Sequence, residues 1–136
     1  MKEMEKTFVI IKPDAVAAGL VGSILARYEE AGLAIQAMDL RTIDGEFADR
    51  HYADHITKDF YPPLREFMVE GPLVALVLNG PDAIATVRRI NGATDPAEAE
   101  AGTIRAEHAE NVRRNCVHGS DSPESAAAEI ELWFGQ

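Results

Sequence analysis

Two short, unbroken apolar runs set most of what this chain can become: Thr7-Phe8-Val9-Ile10-Ile11 and Leu73-Val74-Ala75-Leu76-Val77-Leu78. Each is rich in branched residues and short for a helix. Lys12-Pro13-Asp14 ends the first and Asn79 stops the second. Both read as buried strands. A strand that is apolar at every position has to be covered, and the segments between the runs supply helices for that purpose.

Leu20, Ile24, Leu25 and Tyr28 recur at helical spacing over residues 20–31, and Gly32 stops them. Leu33 to Ile43 alternates, predicting another strand whose buried face the pattern leaves open. Asp44 caps a helix expected to run through Phe47, His51 and Tyr52 to about His55, and Phe60-Tyr61-Pro62-Pro63 breaks it ahead of a turn or two of helix over 64–69. Gly80-Pro81-Asp82 opens a helix over 83–90, closed by Asn91-Gly92. Residues 91–114 are the one long irregular stretch, with a short helical pattern over 106–113, and loops of that size are usually functional or mobile.

His118 follows Cys116-Val117 and precedes Gly119, so it is expected at the exposed tip of a last short strand, where glycine lets the backbone turn. Ser122-Pro123-Glu124 then starts a final helix to Phe134: Ser as N-cap, Pro at the first position, an acid in the first turn. Ala126, Ile130, Trp133 and Phe134 fall at core spacing along it. The order βαβαβαβα fits a ferredoxin-like α+β sandwich and a small parallel α/β sheet equally well. In either, a four-stranded sheet covered on one face by helices is the economical arrangement. The 136 residues are expected to form one domain, 1–136.

The formal net charge of −10 argues against nucleic acid as a partner, since duplex binding needs a basic face. A polyanionic small ligand remains open if the few cations converge. The single Cys116 has no internal disulfide partner, residues 1–6 lack a signal-like apolar stretch, and no run approaches the ~20 apolar residues of a membrane helix. The expected location is cytoplasmic, away from membranes.

Among the candidates for chemistry, His118 stands first. An imidazole with an ordinary pKa of about 6.5 is substantially neutral at cell pH and attacks phosphorus without a separate base. The plainer reading is a solvated histidine at a turn. Glu129, on the helix that begins beside it, can fold back to hold the ring N–H, or simply face water. Lys12 at the end of the first strand, Arg88 late in the third helix and Arg105 in the long loop can clamp a polyphosphate. Taken singly, each is a solvated or ion-paired surface cation. Thr94 and Asn115 are donors of the sort that bind phosphate or ribose. His51 and His55 stand at a zinc-compatible i, i+4 spacing with nothing to complete a site, so no protein-built metal centre is expected. Neither G-x-x-x-x-G-K-[ST] nor a G-x-G-x-x-G after a strand occurs.

The combination of Asn115-Cys116-Val117-His118-Gly119-Ser120-Asp121-Ser122 with Lys12-Pro13-Asp14, Gly102-Thr103-Ile104-Arg105 and Trp133-Phe134 strongly resembles the nucleoside diphosphate kinases, over essentially the whole chain. The resemblance implies a ferredoxin-like sandwich and ping-pong transfer of the γ-phosphate of ATP to other nucleoside diphosphates through a phosphohistidine, with Mg²⁺ held through the nucleotide phosphates. It makes His118 the phosphorylated residue and gives Lys12, Arg88, Thr94 and Arg105 the phosphates. Asn115 takes the sugar, Phe60 stacks on the base and Val112 closes its other side. Tyr52, Glu129 and the Ser120 hydroxyl support the imidazole. It also implies a homo-oligomer, a hexamer or tetramer.

This chain departs from the family in one loop. Where the family reads P-G-T-I-R-G-D-F, it has Ala101-Gly102-Thr103-Ile104-Arg105-Ala106-Glu107-His108. Losing the proline loosens the loop in the unfolded chain, an alanine at 106 is strained if that position needs positive φ, and His108 replaces an aromatic. Activity is expected to survive because Arg105 is present, while loop order and subunit contacts are expected to weaken. Two rival readings are a nucleotide-binding scaffold that has lost turnover through a displaced Arg105, and a ferredoxin-like small-ligand regulatory domain.

Overall fold

The structure is a computed structural model that describes residues 4–135. Strands β1 (Met4–Ile11), β2 (Ala34–Arg41), β3 (Leu73–Pro81) and β4 (Val117–Gly119) form one sheet in the order β2-β3-β1-β4. Every neighbouring pair is antiparallel, which decides between the two architectures the element order left open. Among the described residues seven α-helices pack around it, α1 (Pro13–Ala17), α2 (Val21–Glu30), α3 (Gly45–His51), α4 (Tyr61–Met68), α5 (Ala83–Asn91), α6 (Ile104–His108) and α7 (Pro123–Phe134), with a short 3-10 turn at Pro96–Glu98. The result is a ferredoxin-like α/β sandwich.

The helices cover both faces of the sheet, not one. Alternate residues of β1 and β3 divide between two cores. Val9, Ile11, Val74, Leu76 and Leu78 meet Ile24 and Tyr28 of α2 and Val87 of α5. Phe8, Ile10, Leu73, Ala75 and Val77 meet Ala48 of α3, Phe67 and Met68 of α4, and Ile130 and Trp133 of α7. That is the physical meaning of an apolar run without alternation: a central strand buried on both sides. At the edge, the register of β2 shifts between Ile35 and Ala37: Ile35 packs against the first core, Ala37, Asp39 and Arg41 pair with residues of the second, and Met38 and Leu40 are left 55% and 63% exposed.

Four local expectations change. Pro13 opens the five-residue α1 instead of ending a strand in a plain turn, and Pro62 and Pro63 sit inside the first turn of α4 instead of breaking a helix. Proline is tolerated there because the first-turn N–H groups have no intrahelical partner. α3 ends at His51, so His51 and His55 do not share a helix. α6 covers 104–108 in place of 106–113 because Thr103 caps it, its Oγ1 accepting from the Ala106 N–H at 3.3 Å.

Candidate active site

The site is built around β4. This three-residue strand lies at the sheet edge beside β1, with His118 opposite Ile10 and the Lys12 N–H donating to the Cys116 carbonyl at 2.8 Å. His118 is thus in the middle of a strand, not at its tip. Gly119 is needed for close approach, since a Cβ there would lie 2.9 Å from Val87 Cγ1 of α5. Just upstream, the Val117 N–H donates to the Asn115 carbonyl at 2.9 Å across Cys116, whose φ is 74°. This is a γ-turn of the strained, positive-φ kind. The Cys116 N–H is held by Asp14 Oδ2 at 3.1 Å, so the Asp of Lys12-Pro13-Asp14 braces the backbone that aims His118.

α7 supplies the partner for the imidazole. Its start follows the sequence expectation: Ser122 Oγ accepts from the Ser125 N–H at 3.1 Å, and Pro123 is the first residue. About two turns on, Glu129 accepts from His118 Nε2, with both carboxylate oxygens at 3.1 Å. Ser120 Oγ donates to Glu129 Oε1 at 2.6 Å. Burial pushes the Glu129 carboxyl up, but the His118 and Ser120 hydrogen bonds outweigh it and hold the group below the usual carboxylate range. Ser120 is fully buried and lies outside the cleft lining, so it acts on the site through Glu129.

Lys12 is 7% exposed, and its Nζ donates to Asn115 Oδ1 at 2.8 Å. The Asn115 amide is orientated by its other end, which donates to the carbonyls of Thr94 at 3.2 Å and Val112 at 3.1 Å. Burial, then Arg105, lower the Lys12 pKa to about 8 against the opposing pull of Asp14 and Cys116. A polyphosphate on this ammonium would restore what burial removes. Arg105 is fixed by two short bonds, Nη1 to the Gly92 carbonyl at 2.7 Å and Nη2 to the Val117 carbonyl at 2.6 Å. Arg88, on α5, lines the same cleft.

The altered loop holds Arg105 in place. Arg27 of α2 donates to the Gly102 carbonyl at 2.8 Å and pairs with Glu107, the residue that stands in the family's Asp position. Among the described residues only Asp82 and Cys116 have positive φ without being glycine, so Ala106, inside α6, carries no such strain. His108 ends α6 beside Glu107, at 3.8 Å.

His118, Lys12, Arg88, Thr94, Arg105, Asn115, Tyr52 and Glu129 all border one cleft of about 980 Å³. At its mouth Phe60 and Val112 are 49% and 58% exposed, two apolar surfaces suited to the faces of a flat ring. Burial, then Glu129, raise the Tyr52 phenol, which stays a neutral donor. Every one of these residues was a candidate from the sequence. In the sequence His51 stands out only for a zinc spacing, and Asp14 only as a turn residue; their roles rest on contacts across the fold that no local pattern marks. His55 also lines the cleft, its ring 5.4 Å from that of Phe60. Carboxylates of Asp54, Glu98, Glu100 and Asp121 line the cleft as well. Among the described residues the one group of three close metal-type ligands is His51, His118 and Glu129.

A histidine with one nitrogen tied to a carboxylate, in a cleft with apolar lips that Lys12, Arg88, Arg89, Arg105 and Arg113 line, can take up and hand on a phosphoryl group from a flat, polyanionic ligand. A model of the family described as nucleoside diphosphate kinase matches residues 5–136. A nucleoside diphosphate kinase of Nocardioides sp. is 59% identical over 129 residues, 95% of this chain and 96% of that protein. One from Rhodococcus jostii is 57% identical over 131 residues, 96% and 94% of the two chains. The solved structure of the Aquifex aeolicus nucleoside diphosphate kinase superposes with a TM-score of 0.94 at 42% identity, covering 97% of this chain and 96% of that one. For the apo enzyme of Encephalitozoon cuniculi the TM-score is 0.94 at 37% identity, covering 97% and 90%.

Proposed function

The chain belongs to the nucleoside diphosphate kinase family, and from that premise we propose that His118 Nδ1 is the atom that carries the phosphoryl group between nucleotides. The enzyme is a phosphotransferase that passes the γ-phosphate of ATP to other nucleoside diphosphates in two half-reactions. The observation that carries the assignment is the bond from His118 Nε2 to both oxygens of Glu129 at 3.1 Å. It puts the ring proton on Nε2 and leaves the Nδ1 lone pair for attack. When Nδ1 bonds to the γ-phosphorus, the bond to the β-phosphate oxygen breaks and the diphosphate leaves. The ring becomes cationic at that moment, and the Glu129 carboxylate is already placed against it. An incoming diphosphate then reverses the step.

Phosphoryl transfer asks little of the protein beyond position and cations on the equatorial oxygens. We assign that to Lys12, Arg88 and Arg105, with Thr94 as a further phosphate donor. Asn115 keeps a second lone pair on Oδ1 and goes to the sugar. Phe60 stacks on the base and Val112 closes the opposite side, an arrangement tolerant of base identity because every base has a π-face. Tyr52 and Ser120 support the imidazole, the latter through Glu129.

Activity in the family needs a divalent cation. Among the described residues the cleft carboxylates form no three-donor oxygen cage, and in the one close trio Glu129 is engaged by His118 and Ser120, and His51 Nδ1 by Trp133. A hard cation therefore fits here only with ligands it brings, the phosphate oxygens and water, and we assign it as Mg²⁺. When bound, it neutralises charge that builds between the transferred and leaving phosphates.

Reading 1–136 as one kinase-like domain is supported by the match over residues 5–136. Among the described residues no helix is long and apolar enough to cross a membrane. A cytoplasmic setting suits the lone, buried Cys116. A homo-oligomer, hexamer or tetramer, is supported by the open β2 edge with Met38 and Leu40 uncovered, a surface that folded proteins rarely leave bare. Light scattering at a single-chain mass would remove that part. The expectation that the altered loop at 101–108 weakens assembly stands with that proposal; within one chain Arg27 ties the loop to α2.

For the central assignment, the protein incubated with ATP and Mg²⁺ is expected to carry an acid-labile, base-stable phosphate on His118 that GDP removes as GTP. Nucleotide binding without such a phosphoenzyme would turn the reading toward a scaffold.

A further inference from the structure

A second imidazole stands against His118, and the reaction as assigned gives it nothing to do. The rings of His51 and His118 are 5.2 Å apart, centre to centre, at 85°, an edge-to-face contact. His51 is enclosed further by Trp133 at 5.5 Å, Tyr52 at 4.6 Å and Phe8 at 6.2 Å. Its one hydrogen bond of defined sense comes from α7: the Trp133 indole N–H donates to His51 Nδ1 at 3.0 Å.

That bond settles the tautomer. An indole N–H only donates, so Nδ1 must hold a lone pair, and the proton of the neutral ring sits on Nε2. Each alternative state of His51 is disfavoured by the same contact. A protonated ring would set Nδ1–H against the indole N–H, two donors head to head. A metal on Nε2 would demand the same Nδ1–H form, and a metal on Nδ1 would have to displace the indole. The close trio of His51, His118 and Glu129, whose ligand atoms lie within 4.8 Å of one another, is therefore a poor metal centre despite its composition. A phosphoryl group would also find no free lone pair on His51.

We propose that Trp133 locks His51 as its neutral Nε2–H tautomer, and that His51 is thereby a positioning residue for transfer at His118. It braces the reacting imidazole edge-to-face while adding neither a second positive charge nor a competing nucleophile. The role rests on His118 being the phosphorylated residue; the lock itself does not. The groups around it act in line with this. Burial, then His118, push the His51 pKa down, Glu129 opposes, Lys12 and His55 add to the push, and the value falls to about 3. The Tyr52 phenol remains neutral beside it.

The first test needs no variant. Nitrogen-15 spectra of the full chain at pH 7 should show His51 with a pyridine-type Nδ1 and a pyrrole-type Nε2, unchanged down to pH 5. A His51 protonated on Nδ1, or charged at pH 6, would overturn the lock. Trp133→Phe keeps the aromatic body and deletes the donor. It should give mixed His51 tautomers and lower kcat about tenfold, with nucleotide KM little changed. An unaltered kcat in a folded Trp133→Phe protein would overturn the positioning role. His51→Asn retains an acceptor near the indole and should keep about tenfold more kcat than His51→Leu; equal losses would count against the proposal. Phosphate found on a residue other than His118, with the His51 spectrum as expected, would sink the assignment of the reaction and leave the lock standing.

Discussion

His118→Ala is expected to lose phosphotransfer by roughly four to six orders of magnitude, the range seen when a covalent nucleophile is deleted. No neighbour can replace it. His51 has its lone pair engaged by Trp133, Ser120 donates its hydroxyl to Glu129, and the Cys116 thiol is buried, with its pKa raised by that burial and by Asp14 to about 12. The fold should hold, because the β4 ladder is made by backbone groups and Glu129 keeps its bond from Ser120. Nucleotide affinity should also be largely retained, since the cations and the apolar lips do not depend on the imidazole. Single-turnover transfer from labelled ATP, read beside a melting curve and a nucleotide titration, separates these expectations. Turnover of GDP with ATP near the wild-type rate would show that the phosphate travels another way.

What the sequence disclosed and what it withheld divide along one line. Signals local in the chain were legible: the apolar runs of β1 and β3, the Ser122-Pro123 start of α7, the Asp44 cap of α3, and the residues of the 115–122 motif. Signals that depend on what lies opposite were not. The unbroken apolarity of Phe8 to Ile11 and of Leu73 to Leu78 meant burial on both faces, which only the placement of α3, α4 and α7 against the other helices displays. Prolines 62 and 63 look the same on paper whether they stop a helix or begin one. Asp14 reads as a turn residue until it is seen holding the Cys116 N–H, 102 positions away. His51 and Trp133, 82 positions apart, belong to one hydrogen bond that no spacing rule anticipates. The 101–108 loop is the instructive case. Substitutions at 101, 106 and 108 suggested disorder, but its conformation is set by the Thr103 cap and by Arg27, both outside the altered positions.

That loop matters through one side chain, and Arg105→Ala tests it. The expected loss in kcat/KM corresponds to roughly 2–4 kcal/mol of transition-state stabilisation, about 30- to 1,000-fold, as for removal of one preorganised donor. Arg105 is also structural: its two Nη groups pin the Gly92 carbonyl at the end of α5 and the Val117 carbonyl next to His118. Truncation leaves both acceptors short of a partner, so thermal stability should fall as well, by about 1–3 kcal/mol. Arg105→Lys distinguishes the two parts. A lysine keeps the charge but cannot span two carbonyls with a rigid fork, so it should restore much of the lost phosphate affinity and little of the alignment at Val117. The expected pattern is a KM for ATP near wild type with kcat still depressed in the lysine variant, and both parameters impaired in the alanine variant. A kcat/KM for Arg105→Ala within about threefold of wild type, well short of the loss expected for such a donor, would mean that Arg105 holds the loop to β4 and takes no part in the charge of the transferring phosphate.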